Sequence, residues 1–257
     1  MSVLAALGIL VAGMAAGTIN TVVGSGTLIT FPVLVFLGYP PIVANVSNTV
    51  GLVAGGVTAV HGYRSELRGA GLTLRRLAPA SLVGGIVGAV LLLVLPPAAF
   101  QAIVPVLIAV GLTLVVLGPR LQSRAAERHE AGIPPAAWHG AALTGGVLVA
   151  GIYGGYFGAA QGVILMGLMS ALSTEPIQRL NGYKNVLATV VNGVAAVTFM
   201  VVAWGRIDWL VALLVGLGAF AGGVIGSRVG RRLPPLGLRA VIIVVGVVGI
   251  IKILWFS

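Results

Sequence analysis

Residues 17–51 read GTINTVVGSGTLITFPVLVFLGYPPIVANVSNTVG. An apolar run enters this stretch, is interrupted at Gly24-Ser25-Gly26, and resumes over 24–38. The resumed piece is about 15 residues, or roughly 22 Å of helix, against a hydrocarbon core of about 30 Å. It is too short to cross a bilayer alone. A second stretch, GIYGGYFGAAQGVILMGLMS (151–170), repeats the pattern, with a break at Gly158 and a short run over 159–173. Backbone that leaves helical geometry inside a membrane must be buried in protein or line a cavity, because lipid cannot satisfy its polar groups.

The composition settles the class around these two breaks. Of 257 residues, 58% are hydrophobic and 8% charged, with 39 glycines, no cysteine, and 15 bases against five acids. Soluble domains carry roughly 25% charged residues, so this chain has too few to cover a water-facing globule. It reads as an all-α polytopic membrane protein. The net charge of +10 does not imply a nucleic-acid partner, since bases between apolar spans report membrane orientation. Zero cysteines exclude disulfides, thiolate metal sites and a cysteine nucleophile. His61, His129 and His139 share no metal-ligand spacing, and no cofactor is expected. Met1-Ser2 runs into apolar residues without the positive n-region of a cleaved signal peptide, which predicts a retained membrane helix.

Beyond the first pair, 3–22 and 24–38, apolar spans are predicted at 42–61, 77–95 and 101–118. After a charge-rich linker, 119–137, they resume at 138–157, 159–173, 184–204, 209–227 and 238–256. The two sets match in detail. Gly84-Gly85-x-x-Gly88 recurs as Gly222-Gly223-x-x-Gly226, and Leu95-Pro96-Pro97 as Leu233-Pro234-Pro235, both at an offset of 138. Asn48 and Gly56-Val57 match Asn185 and Gly193-Val194 at 137, and Gly17 and Gly24 match Gly151 and Gly158 at 134. The ordered landmarks predict a duplication, with repeats at 1–118 and 138–257 in one membrane domain, joined by a cytoplasmic linker at 119–137.

Charge decides the sense of the repeat. If each glycine-broken pair is a hairpin, each half is that hairpin plus three spans, and the odd crossing number inverts the second half. One face then collects Arg64, Arg68, Arg75, Arg76, Arg120, Arg124, Arg128, Arg179, Lys184, Arg228, Arg231, Arg232 and Arg239, thirteen of the fifteen bases. Arg206 falls opposite and Lys252 inside the last span. Counting each broken pair as one crossing would scatter these bases over both faces. The positive-inside rule favours the inverted repeat, with both termini non-cytoplasmic.

Paired discontinuous helices in inverted halves point to a transporter's binding site. Helices starting near Ser25 and Ala159 present free N–H groups and a positive dipole end, which suit an anion. Gly24, Gly26, Gly158 and Gly162 would let a ligand approach backbone, while Ser25, Thr27 and Gln161 offer side-chain hydrogen bonds. The expected site is an oxyanion cradle built once per half. The competing reading of any one glycine is close helix packing. Asn20 and Thr21 precede the first break, and Asn45, Ser47, Asn48 and Thr49 open the next helix. In the second half Asn181, Lys184, Asn185 and Asn192 do so. For Asn45 and Asn181, helix capping stands beside a site role; the matched Asn48 and Asn185 point toward the site. Lys184 reads either as a snorkelling cation at the cytoplasmic edge or as the charge partner of an anionic substrate. Tyr153 and Tyr156 fit the second break, a packing role or an interfacial belt, and His61 a surface position. Glu66, Glu127, Glu130 and Glu175 fall in predicted cytoplasmic loops and Asp208 at the opposite edge. No carboxylate is expected mid-membrane, where proton relays sit.

With these residues in view, the chain resembles the sulfite exporter TauE/SafE family, also called the toluene sulfonate uptake permeases. The likeness rests on 17–51 and 151–170, and on GGIVGAVLLLVLP (84–96) and GGVIGSRVGRRLP (222–234); it covers essentially the whole chain. Here Gly-Ser-Gly and Gly-Ala-Ala-Gln stand where relatives carry fuller glycine runs. The resemblance implies a bacterial inner-membrane permease for a small anion such as sulfite, a sulfonate or sulfoacetate. An anion channel built from the same helix ends is the alternative. An integral membrane enzyme would need Asp-x-x-Asp or His-x-x-x-His sets that the chain lacks. The expected partners are thus the anion and the lipid bilayer. The faces Gly84–Gly88 and Gly222–Gly226 suit packing within the chain or in a homo-oligomer.

Overall fold

A computed structural model of the chain describes residues 1–130, 139–229 and 235–256, and their side chains except those of 121–130, 235, 236, 238, 239 and 252–256. Within these residues the protein is all helix. The helices are α1 (Val3–Val22), α2 (Thr27–Phe36), α3 (Pro41–Gly62), α4 (Gly71–Val94), α5 (Pro97–Glu130), α6 (His139–Tyr156), α7 (Gln161–Leu172), α8 (Ile177–Val202), α9 (Trp209–Val229) and α10 (Pro235–Phe256). A single 3-10 turn, Trp204–Arg206, precedes α9. Six of them, α1, α3, α4, α5 up to Arg120, α8 and α9, are long and apolar enough to cross a membrane. With 10 and 12 residues, α2 and α7 reach only about 15 and 18 Å, shorter than the runs predicted.

The start of α3 agrees with the sequence reading, whereas the start of α8 and the end of α5 differ from it. Pro40-Pro41 and Pro176 set the starts of α3 and α8, because a proline's fixed φ preorganises a first turn. Asn45 and Asn181 therefore lie inside helices and do not cap the starts of their own helices. The charge-rich stretch from 119 continues α5 to Glu130, as its Arg, Gln, Ala and Glu favour helix; 131–138 lie outside the described residues. So do Arg231, Arg232 and the Leu233-Pro234 step of the second diproline.

Both broken pairs are hairpins. Tyr39, just past α2, donates its hydroxyl to Met1 Sδ at 3.6 Å, and Gly26 packs on Ala16 and Asn20 of α1, so α2 runs back along α1. Likewise Gly154 meets Gln161 and Gly146 meets Leu168, laying α7 back along α6.

Small residues fuse the halves. On the α1–α9 seam Gly13 faces Val215, Gly17 faces Ala219, and Gly226 faces Thr18 and Thr21, so the two helices run parallel. Thr18 also donates to the Gly222 carbonyl at 3.1 Å. On the α4–α6 seam Gly84 faces Leu148 and Ile152, Gly88 faces Ile152 and Tyr156, and Gly155 faces Gly85. α3 lies parallel to α9, through Gly51–Val215, Gly55–Ala219 and Gly62–Ser227. It runs antiparallel to α8, which meets it at Gly56–Thr189 and at Gly182 near Tyr63. Contacts thus occur in swapped pairs: α1 with α9 and α6 with α4, α2 with α10 and α7 with α5. Small side chains permit such approach in a bilayer, where dispersion and hydrogen bonds replace hydrophobic drive. The Gly84–Gly88 and Gly222–Gly226 faces are therefore consumed within the chain.

The surface is inverted relative to a soluble protein. Leu82, Val87, Leu213, Leu217 and Phe220 are exposed, while Thr30, Asn45, Ser47, Asn48, Ser81 and Lys184 are buried. Apolar side chains outside and amides inside are what hydrocarbon solvent selects.

Placing a Cβ at Gly88 would drive it into the Ile152 carbonyl, whereas Gly193 has nothing within 4 Å. Gly88→Val should destabilise the detergent-solubilised protein by at least ~1–3 kcal/mol. Gly193→Ala should be neutral or stabilising by up to about 1 kcal/mol. Thermal unfolding followed by size-exclusion chromatography checks both.

Candidate functional site

The two breaks are built alike. The amides of Val23 and Gly24 both donate to the Ile19 carbonyl (2.7 and 3.0 Å), and those of Phe157 and Gly158 to the Tyr153 carbonyl (2.9 and 3.0 Å). Gly24 (φ +91°) and Gly158 (φ +73°) then take the left-handed backbone that ends a helix and turns the chain. The hairpin tips touch. The Gly162 amide donates to the Gly24 carbonyl at 3.0 Å, and a Cβ on either glycine would collide with the other's Cα.

Ending α1 and α6 inside the protein leaves their last carbonyls without helical partners. Each terminus is satisfied by the opposite half. Lys184 of α8 donates from Nζ to the carbonyls of Asn20 (3.2 Å) and Thr21 (2.8 Å), and Asn185 Nδ2 to that of Thr21 (3.4 Å). Across the pseudo-equivalent junction, Asn45 Nδ2 of α3 donates to the Tyr156 carbonyl at 3.1 Å. At the α2 start, Asn48 Nδ2 donates to Thr27 Oγ1 at 3.3 Å, and Thr30 donates to Asn48 Oδ1.

Lys184 does not snorkel. Only 1% exposed, it has no carboxylate partner among the described residues: Glu175 pairs with Arg179 at 3.1 Å, Asp208 accepts from the Val211 amide at 3.0 Å, and Glu66 accepts from Ser65. Its cation sits against the negative end of the α1 dipole with two of three N–H groups engaged. At the two breaks, several buried polar atoms have no partner among the described residues: Ser25 Oγ in the first, Gln161 Nε2 in the second, and Asn45 Oδ1 beside the α6 end. The amides of Ser25, Gly26 and Thr27 have no backbone acceptor among the described residues either. Native proteins leave few such atoms, and each one asks for an explanation.

The structure thus gathers Asn20, Gly24, Ser25, Gly26, Thr27, Asn48, Gln161, Gly162, Lys184 and Asn185 about the meeting point of the tips, with Gly158 at the far turn. The glycines have packing reasons of their own. Gly24 and Gly162 allow the tips to touch, Gly26 fits against α1, and Gly158 supplies the turn. Matched Asn48 and Asn185 do different work, one holding α2 and the other α1. The sequence reading missed Thr30, although Thr27 and Thr30 lie one turn apart on the face that meets Asn48. It also missed an edge-on aromatic cluster beside the second tip, where Phe157 lies 5.0 Å from Phe31 and 6.1 Å from Phe100. The hydroxyls of Tyr153 and Tyr156 are buried without a partner, and His61 is exposed. A cavity of about 410 Å³ between α1, α2 and α10 is lined by Leu4, Pro32, Phe36, Val245 and their neighbours. Its walls are almost wholly apolar and do not suit an anion. Among the described residues no three His, Asp or Glu side chains come together to hold a metal ion.

Comparison with known proteins covers the same extent. The model of the family described as sulfite exporter TauE/SafE matches residues 9–253. The chain is 28% identical over 257 residues to the probable membrane transporter protein YfcA of Escherichia coli (strain K12), covering 95% of this chain and 87% of that one. It is 27% identical over 247 residues to the probable membrane transporter protein ORF9 of Sinorhizobium sp, covering 95% and 90%. No solved structure matches.

Gly24 and Gly38 share nearly the same positive φ, +91° and +90°, but only Gly24 faces another backbone; Gly38 has nothing within 4 Å. Gly38→Ala should therefore lose only the strain of a left-handed alanine, about 1–2 kcal/mol. Gly24→Ala should lose clearly more, because the tips must also part. Thermal melts of the two variants side by side separate strain from contact.

Proposed function

Because the chain belongs to the sulfite exporter TauE/SafE family and is a multi-pass membrane transporter, we propose that it moves a small oxyanion, such as sulfite, a sulfonate or sulfoacetate, across the bacterial inner membrane. One observation carries the anionic part of the reading. A lysine buried to 1% exposure has backbone carbonyls and no carboxylate as its hydrogen-bond partners among the described residues, and the two breaks carry buried polar atoms without a partner there. A buried cation is costly unless an anion compensates it. The start of α2 adds free amides and the positive end of a helix dipole, which favour an anion in the same place.

Transport by alternating access of two inverted halves is the mechanism that fits. The antiparallel relation of α3 to α8 and the swapped contacts of α1–α9 and α6–α4 support it. So does charge. Arg179 donates to the Arg68 carbonyl at 2.6 Å, and Ser227, next to Arg228, packs on Gly62, which gathers these arginines at one end. Arg206 lies at the other, flanked by Trp204 and Trp209 with ring centroids 4.4 Å apart, a pairing suited to a membrane interface. The arginine-rich end is read as cytoplasmic, with both termini on the opposite side. Either half then contributes one hairpin to a shared anion path.

Purified protein in liposomes should take up labelled sulfite or sulfoacetate saturably and show counterflow exchange. Flux that rises linearly with concentration and shows no counterflow would identify a channel. Gln161→Leu removes an unpaired donor while keeping side-chain bulk. It should raise the KM for uptake by about 10-fold or more, the worth of a hydrogen bond to a charged group.

A further inference from the structure

The two hairpins are secured differently. The α6 end is held by a neutral amide, Asn45 to the Tyr156 carbonyl at 3.1 Å, whereas the α1 end is held by a charge, Lys184 to the Asn20 and Thr21 carbonyls. The Asn20 and Thr21 carbonyls depend on it, because the Gly24 amide has turned to Ile19 instead. Lys184 and its acceptors come from opposite halves of the chain, so this contact must change if one half moves against the other. An ammonium prefers an anionic oxygen to a neutral carbonyl, and the preference grows as the surroundings become less polar.

We propose that Lys184 converts anion occupancy into movement of the first hairpin. On the reading of the site as an anion path, the arriving anion takes over the ammonium from the Asn20 and Thr21 carbonyls, and the tip at Gly24 is released from α8. Asn185, already 3.4 Å from the Thr21 carbonyl, remains to satisfy one of the freed groups. The Asn45 contact carries no charge and does not respond, so the first hairpin moves and the second stays. Lys184 is therefore a positioning residue as well as a counter-charge.

The chain has no cysteine, which makes a single introduced thiol a clean reporter. Val23, half-buried at the tip of the first hairpin, is replaced in Val23→Cys. Its reaction with a charged maleimide is followed in liposomes with and without sulfoacetate, which does not attack the reagent. Saturating sulfoacetate should accelerate labelling at least ~5-fold, as expected of a ligand that shifts a two-state equilibrium. Lys184→Gln in the same background keeps a donor without the charge; at a sulfoacetate concentration raised until the anion again shifts the variant's melting temperature, it should show no acceleration, with basal labelling no slower than the parent's. Lys184→Arg should retain acceleration. Undiminished acceleration in Lys184→Gln overturns the inference. Unaccelerated labelling of Val23→Cys, with saturable sulfoacetate uptake intact, overturns the latch and leaves the permease standing. Absence of both uptake and acceleration overturns the two together.

Discussion

Breaking a helix inside hydrocarbon frees backbone groups that lipid cannot satisfy, and the arrangement of this protein follows from where those groups find partners. The tips of two hairpins meet through the hydrogen bond from Gly162 to Gly24, and the last carbonyls of α1 and α6 are taken by Lys184, Asn185 and Asn45 from across the chain. Neither half can satisfy its own break. Each needs the third helix of the other, so the two repeats must fold onto one another.

Glycine makes that mutual dependence sterically feasible. The α1–α9 and α4–α6 seams bring backbone against backbone, so the long helices act as rigid walls around the shorter α2 and α7. In a bilayer such contacts substitute dispersion and hydrogen bonding for a missing hydrophobic drive. The same seams leave the branched and aromatic side chains of α4 and α9 facing outward, where lipid accepts them without cost. The interior is then free for threonine, asparagine and one lysine.

The two breaks share a backbone turn and differ in their side chains. Ser25 has Ala159 as its counterpart, and Thr27 has Gln161. The matched amides Asn48 and Asn185 serve different helices, and the cation of Lys184 faces the first hairpin alone. The second tip is instead walled by Phe31, Phe100 and Phe157. Two hairpins that turn alike thus carry different polar groups at their tips.

The sequence alone determined the class and the breaks. Hydropathy, helix length against bilayer thickness, and the order of Gly24, Gly158 and the Gly-Gly-x-x-Gly segments are local or periodic properties, and they survive translation into structure. It also picked out the residues about the breaks, because polar side chains in apolar runs are conspicuous. It left Lys184 between the membrane edge and an anion partner, Asn45 between a cap and a site role, and Gly26 between a ligand and helix packing. Those roles depend on which helix of the opposite half lies alongside, a contact between residues more than a hundred positions apart. Hydropathy and spacing record how one segment meets solvent; they do not record its partner. Only the tertiary structure decided that the tips touch, that the glycine faces close within the chain, and that the buried Lys184 rests on the carbonyls of the first break, because each of these is fixed by backbone groups that need a partner and find it only across the fold.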